Sequence, residues 1–76
     1  MLMVGEMERR ERFAYALQRA LRERAMSERQ LAKSLEVDPR KIASWRRGKA
    51  LPDLYEVQAL AGRLRVSEEL FRNPPA

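Results

Sequence analysis

The sequence predicts an all-α fold of about five short helices, and three observations support this. Apolar residues recur at spacings of three and four, capping residues stand where each new apolar stripe begins, and no segment sustains period-two alternation of β-branched residues. The 76 residues suffice for one small domain and not two. We place that domain at residues 8–72, with flexible ends at 1–7 and 73–76, where the closing Asn73-Pro74-Pro75-Ala76 has linker composition.

From Glu8 to Ala25 there is no Gly or Pro, and Phe13, Leu17 and Leu21 recur every four residues, which predicts one amphipathic helix. Ser27-Glu28-Arg29-Gln30 spells a capping box, so a second helix is expected from Ser27 to about Leu35. Asp38-Pro39 starts a third, with Asp as N-cap and Pro at the first helical position, where its missing N–H costs nothing. That helix should end at Gly48, a residue suited to the left-handed C-terminal conformation. A fourth opens at Pro52-Asp53, with Glu56 at capping-box spacing and Leu54, Val57, Leu60, Ala61 and Leu64 on one stripe. Ser67 caps a last short helix carrying Leu70 and Phe71.

Composition excludes several chemistries. The chain has no Cys and no His, so disulfide scaffolds, Cys nucleophiles, His-based triads and Cys or His metal sites are ruled out. No cofactor or metal is expected, and no enzyme: Glu56, Glu68 and Glu69 stand beside no nucleophile or metal cluster, and so small a core leaves little room for a closed pocket. No uninterrupted apolar stretch approaches membrane-spanning length, and the apolar start at 1–4 is too short for a secretory signal. A cytoplasmic protein is therefore expected.

Sixteen basic against eleven acidic residues leave a net charge of +5, which suits a polyanionic partner. Residues 27–52 hold seven basic and three acidic groups, whereas residues 53–76 hold three and four, so the excess is concentrated on the second and third helices. The mixed run Arg9-Arg10-Glu11-Arg12 reads as a solvated face.

The helices at 27–35 and 39–47, joined by a three-residue break, have helix-turn-helix spelling. Plain helical bundles contain such breaks too, and the helical wheel of the second helix separates the readings. Measured from Pro39, Ile42 and Trp45 lie at about 300° and 240°, while Arg47, Arg40 and Ser44 lie at about 80°, 100° and 140°. The apolar pair anchors the helix to a core. Its opposite face fits a DNA major groove, where Arg pairs bidentately with guanine and Ser meets several base edges. Trp45, beside Ile42, is expected in the core rather than stacked on a base.

The run Leu31-Ala32, Val37, Ile42, Trp45, Gly48-Lys49 and Pro52, followed by Leu60-Ala61, Leu64 and Val66, resembles the phage repressor and Cro type, or XRE-like, helix-turn-helix domain. The resemblance spans roughly Phe13 to Phe71. It implies a compact five-helix DNA-binding domain of a bacterial or phage transcriptional regulator, nucleoid-associated through its DNA. Carried over by position, Pro39, Arg40 and Ser44 would read bases, while Arg47 and Lys49 would meet phosphate. Ser27 and Glu28 match the place where relatives grip the DNA backbone, often through a Gln. Because a carboxylate facing phosphate is repulsive, Arg29, Gln30 or the bare helix N-terminus would take that role here. Lys41 flanks both faces and is a further backbone candidate. Glu36 replaces the common turn Gly, at a cost of about 1 kcal/mol if the turn stays left-handed. Trp45-Arg46 replaces the usual Trp-Glu, and Leu21 replaces its Arg partner, so packing is expected in place of an ion pair; a solvated Arg46 is preferred over one leaning toward DNA.

A single domain of this kind reads few base pairs, so a homodimer on a two-fold operator is expected, and repression is the leading role. Tyr55, Ala59 and Gly62, clustered away from the core stripe, together with Leu70 and Phe71 form the candidate dimer surface. The rival reading is a protein-interaction module of antitoxin or adaptor type, presenting the same basic face to an acidic protein.

Overall fold

Capping chemistry divides the chain where the sequence places its punctuation. The structure, a computed structural model, describes residues 5–72 and comprises α1 (Glu6–Glu23), α2 (Glu28–Leu35), α3 (Pro39–Arg46), α4 (Leu54–Leu64) and α5 (Glu68–Arg72). Glu6 and Met7, expected ahead of the first helix, are its first residues; the expected flexible ends at 1–4 and 73–76 lie outside the described residues.

Both capping boxes form. At α2 the Ser27 hydroxyl accepts the Gln30 amide at 3.0 Å while the Gln30 side-chain oxygen accepts the Ser27 amide at 2.8 Å. At α4 Asp53 and Glu56 exchange the same pair of bonds, each 2.8 Å. Asp38 caps α3 by accepting the Arg40 amide at 2.8 Å, with Pro39 in the first turn. Each cap satisfies an amide that has no partner within its helix and contributes about 1 kcal/mol.

The helix ends share one device. α1 to α4 are followed by a left-handed residue, respectively Ala25, Glu36, Gly48 and Arg65. Behind each, the next amide reaches back to a carbonyl in the helix's last turn: Met26 to Leu21, Val37 to Ala32, Lys49 to Ser44 and Val66 to Ala61. This is the Schellman closure. It stops α1 two residues before the expected Ala25. Met26, Val37 and Val66 then pack on the core, and this apolar contact holds a left-handed conformation that Ala, Glu and Arg disfavour.

The core is built around α1. Its stripe of Phe13, Leu17 and Leu21 is buried with Leu31, Ile42, Trp45, Leu60 and Leu64. Phe13 meets Trp45 edge-on at 6.4 Å and Phe71 at 5.5 Å, joining α1, α3 and α5 through one ring. Fully burying such side chains contributes about 1.5–3 kcal/mol each, and no polar or charged residue is buried among the described residues. Two arginines extend the framework: Arg10 of α1 donates to the Lys49 carbonyl at 3.0 Å, and Arg24, just past the end of α1, donates to the Leu64 and Arg65 carbonyls at 2.8 and 3.0 Å. A guanidinium at the end of α4 satisfies orphan carbonyls and complements the helix dipole.

Candidate nucleic-acid interface

Burial of Ile42 and Trp45 orients α3. Both are inaccessible, so the opposite face of the helix turns to solvent. Pro39, Arg40, Arg47 and Lys49 are exposed there and Ser44 is half-buried. Arg29 at the start of α2 is exposed as well. Arg29, Lys33, Arg47 and Lys49 form no ion pair among the described residues, which leaves four unpaired cations on and beside the α2–α3 unit.

Three further basic side chains of the unit, Arg40, Lys41 and Arg46, are engaged within the protein. Arg40 grips Asp38: its Nη2 lies 2.8 Å from Oδ2, and its Nε lies 3.2 and 3.3 Å from the two carboxylate oxygens. These bonds, with the one from the Arg40 amide, hold the Asp38 carboxyl below the ordinary aspartate value and raise the guanidinium above its own. Lys41, a sequence candidate for a phosphate contact, is drawn toward α4 by an ion pair with Glu56, which raises its pKa, and its ammonium sits 5.9 Å from the Trp45 ring centre. The free, groove-flanking Lys41 expected from the wheel is not what the structure contains.

Glu28 and Arg46 also depart from expectation, and together. They pair with each other across α2 and α3, so the carboxylate is neutralised locally and Arg46 is held against α2 rather than free in solvent or extended toward DNA. Packing is thus not the whole account: Leu21 is buried, as expected, and the Glu28–Arg46 pair also binds the two motif helices. The start of α2 keeps a reduced set of donors. The backbone amides of Ser27 and Gln30 are spent on the capping box, so the Ser27 O–H and the Gln30 Nε2 are the side-chain donors left for an outside acceptor.

The expected dimer surface is divided. Tyr55 and Gly62 are exposed and Ala59 half-buried, and they line one shallow depression with Ser34, Leu35 and Glu36. Leu70 lies in a separate depression with Tyr15, Ala16, Arg19 and Glu23. Phe71 is a correction: its side chain is buried against Phe13 in the monomer core and is not part of a surface. In a five-residue helix both Leu70 and Phe71 read as exposed apolar residues from sequence, and only the docking of α5 on α1 distinguishes them.

The helix-turn-helix family model matches residues 17–71, from the middle of α1 into α5. The chain belongs to the Cro- and XRE-type helix-turn-helix family. The match covers the whole α2–α3 unit, and a helix-turn-helix domain of this family is a DNA-binding transcription regulator, of a kind typically without enzymatic activity. No curated protein matches the chain. Among the described residues, no helix is long and apolar enough to cross a membrane and no group of three or more acidic side chains is placed to hold a metal ion.

Proposed function

We propose that this helix-turn-helix domain is a sequence-specific repressor that reads the major groove of double-stranded DNA with α3. The observation that carries the proposal is the division of α3: Ile42 and Trp45 are buried, whereas the Arg40 side chain is 91% exposed at the helix's first turn. An arginine so placed suits bidentate pairing with guanine O6 and N7, with Ser44 and Pro39 as neighbours on the same face. Arg47, Lys49 and Arg29, with the Gln30 side-chain Nε2 and the Ser27 end of α2, supply the phosphate contacts that dominate affinity and make it salt-dependent. Lys41 joins them only by giving up Glu56.

One such module spans few base pairs, so two copies on a two-fold operator with half-sites about one helical turn apart are the natural arrangement. The exposed surface of Tyr55, Ala59 and Gly62 on α4 is the site we assign to self-association. A cytoplasmic protein held at the nucleoid by its DNA follows from the same reading.

Selection of bound sequences from a random duplex pool, followed by a salt titration, tests the proposal. A two-fold consensus with affinity falling steeply as salt rises supports it. Absence of affinity for any duplex, with capture of an acidic protein by the same basic face, would instead establish the interaction-module reading.

A further inference from the structure

We propose that Asp38 is a positioning residue that determines base specificity: its carboxylate holds the Arg40 guanidinium by one edge and presents the other to guanine. This rests on the reading that Arg40 meets a base.

The geometry has two parts. Asp38 Oδ1 accepts the Arg40 backbone amide at 2.8 Å, which locks the carboxylate into the first turn of α3. The same carboxylate takes the Nε and Nη2 edge of the guanidinium, with Oδ2 at 2.8 Å from Nη2 and 3.2 Å from Nε. Arg40 thereby inherits the frame of the helix through Asp38. The remaining edge, formed by Nη1 and the second proton of Nη2, has no partner among the described residues. That edge is a planar fork of the kind that matches the paired acceptors of guanine.

Stability does not explain this pair. Both side chains are largely exposed, and exposed pairs contribute little to folding. Its consequence is order: holding a long side chain in its binding geometry saves about a two- to tenfold factor in affinity that a free Arg would lose on docking. The carboxylate also sets a preference among ligands. A phosphate approaching Arg40 meets the negative charge of Asp38, whereas a neutral base edge does not, so the pair reserves Arg40 for the base and lowers its attraction for random DNA.

The test uses the full chain and the duplex obtained by random selection, with base preference measured at every position. The variants are Asp38→Asn, Asp38→Ser, Arg40→Ala and each Asp38 change combined with Arg40→Ala. Asn and Ser both retain an oxygen to cap the Arg40 amide, so α3 should persist, as a thermal melt will show. Arg40→Ala should erase a guanine preference at one position. Asp38→Asn and Asp38→Ser should reduce that same preference by about two- to tenfold, leave other positions unchanged and bind random duplex as tightly as wild type or more so. In the Arg40→Ala background neither Asp38 change should alter any preference. Full retention of the preference in both single Asp38 variants, with its loss in Arg40→Ala, would overturn the role of Asp38 and leave base reading by Arg40 intact. Retention of every preference in Arg40→Ala would overturn the base reading and the role of Asp38 with it.

Discussion

Glu28 in the first turn of α2 pairs with Arg46 in the last turn of α3, joining the two motif helices at the end remote from their connecting turn. The turn fixes one end of the unit and the ion pair fixes the other, so the angle at which α3 leaves the body is held at both.

Breaking this pair should loosen the motif modestly. Both side chains are about one-third exposed, at 29% and 35%, which places the interaction between a surface and a buried pair. Arg46→Ala and Glu28→Gln should each destabilise the domain by on the order of 1 kcal/mol, with coupling in the double variant, as urea denaturation will show. Glu28→Gln should also tighten binding to any duplex, because it removes a carboxylate from the start of α2 and frees Arg46.

Glycine should be an improvement at the turn. Glu36 adopts φ 57° and ψ 44° with its side chain exposed, so its Cβ is strained without compensating contact. Glu36→Gly relieves that strain while adding unfolded-state entropy, and a net stabilisation of about 0.5 kcal/mol is expected from the urea midpoint. The reverse holds at Gly48, where φ is 72°: a Cβ would make ordinary contact with the Arg10 backbone at 3.7 Å, and Gly48→Ala should destabilise by about 1 kcal/mol through backbone strain alone.

Gly62 separates monomer stability from self-association. It lies within α4, and a Cβ there meets nothing within 4 Å. Gly62→Ala should therefore stabilise the monomer by about 0.5–1 kcal/mol. If α4 mediates pairing, Gly62→Arg should fold normally and sediment as one copy on duplex that binds two of the wild type. An unchanged two-copy complex would place the dimer surface elsewhere.

Acid should weaken the start of α3. The Asp38 carboxyl is held below its ordinary value of 3.8 by the side-chain bond to Arg40 and then by the Arg40 amide. A group depressed on folding contributes fully above its unfolded value, and the contribution is lost as pH falls through the folded one. Asp38→Asn should therefore flatten the pH dependence of stability below about pH 4 and leave it unchanged near neutrality, as denaturation at a series of pH values will show.

Much of the fold is legible because local chemistry is explicit. Ser27 with Gln30 and Asp53 with Glu56 announce their helix starts, Asp38-Pro39 announces a third, and the stripe through Phe13, Leu17 and Leu21 identifies the face of α1 that enters the core. The helix ends are harder to read. Only one of the four left-handed residues after α1 to α4 is Gly, and at Ala25, Glu36 and Arg65 the determinant is the apolar residue that follows, whose partner is distant in sequence.

For the interface, the sequence by itself determined which face of α3 is apolar and which is polar, because helical periodicity maps position onto angle. It also determined where basic charge concentrates. Only the tertiary structure decided which charges remain available. Lys41 is taken by Glu56 and Arg46 by Glu28, while Arg29, Lys33, Arg47 and Lys49 are left to solvent. It likewise removed Phe71 from the surface and left Leu70 at its edge. The physical reason is common to these cases: the pairing of a charge or the burial of a ring depends on which helix packs beside it, and helical periodicity carries no information about a neighbour.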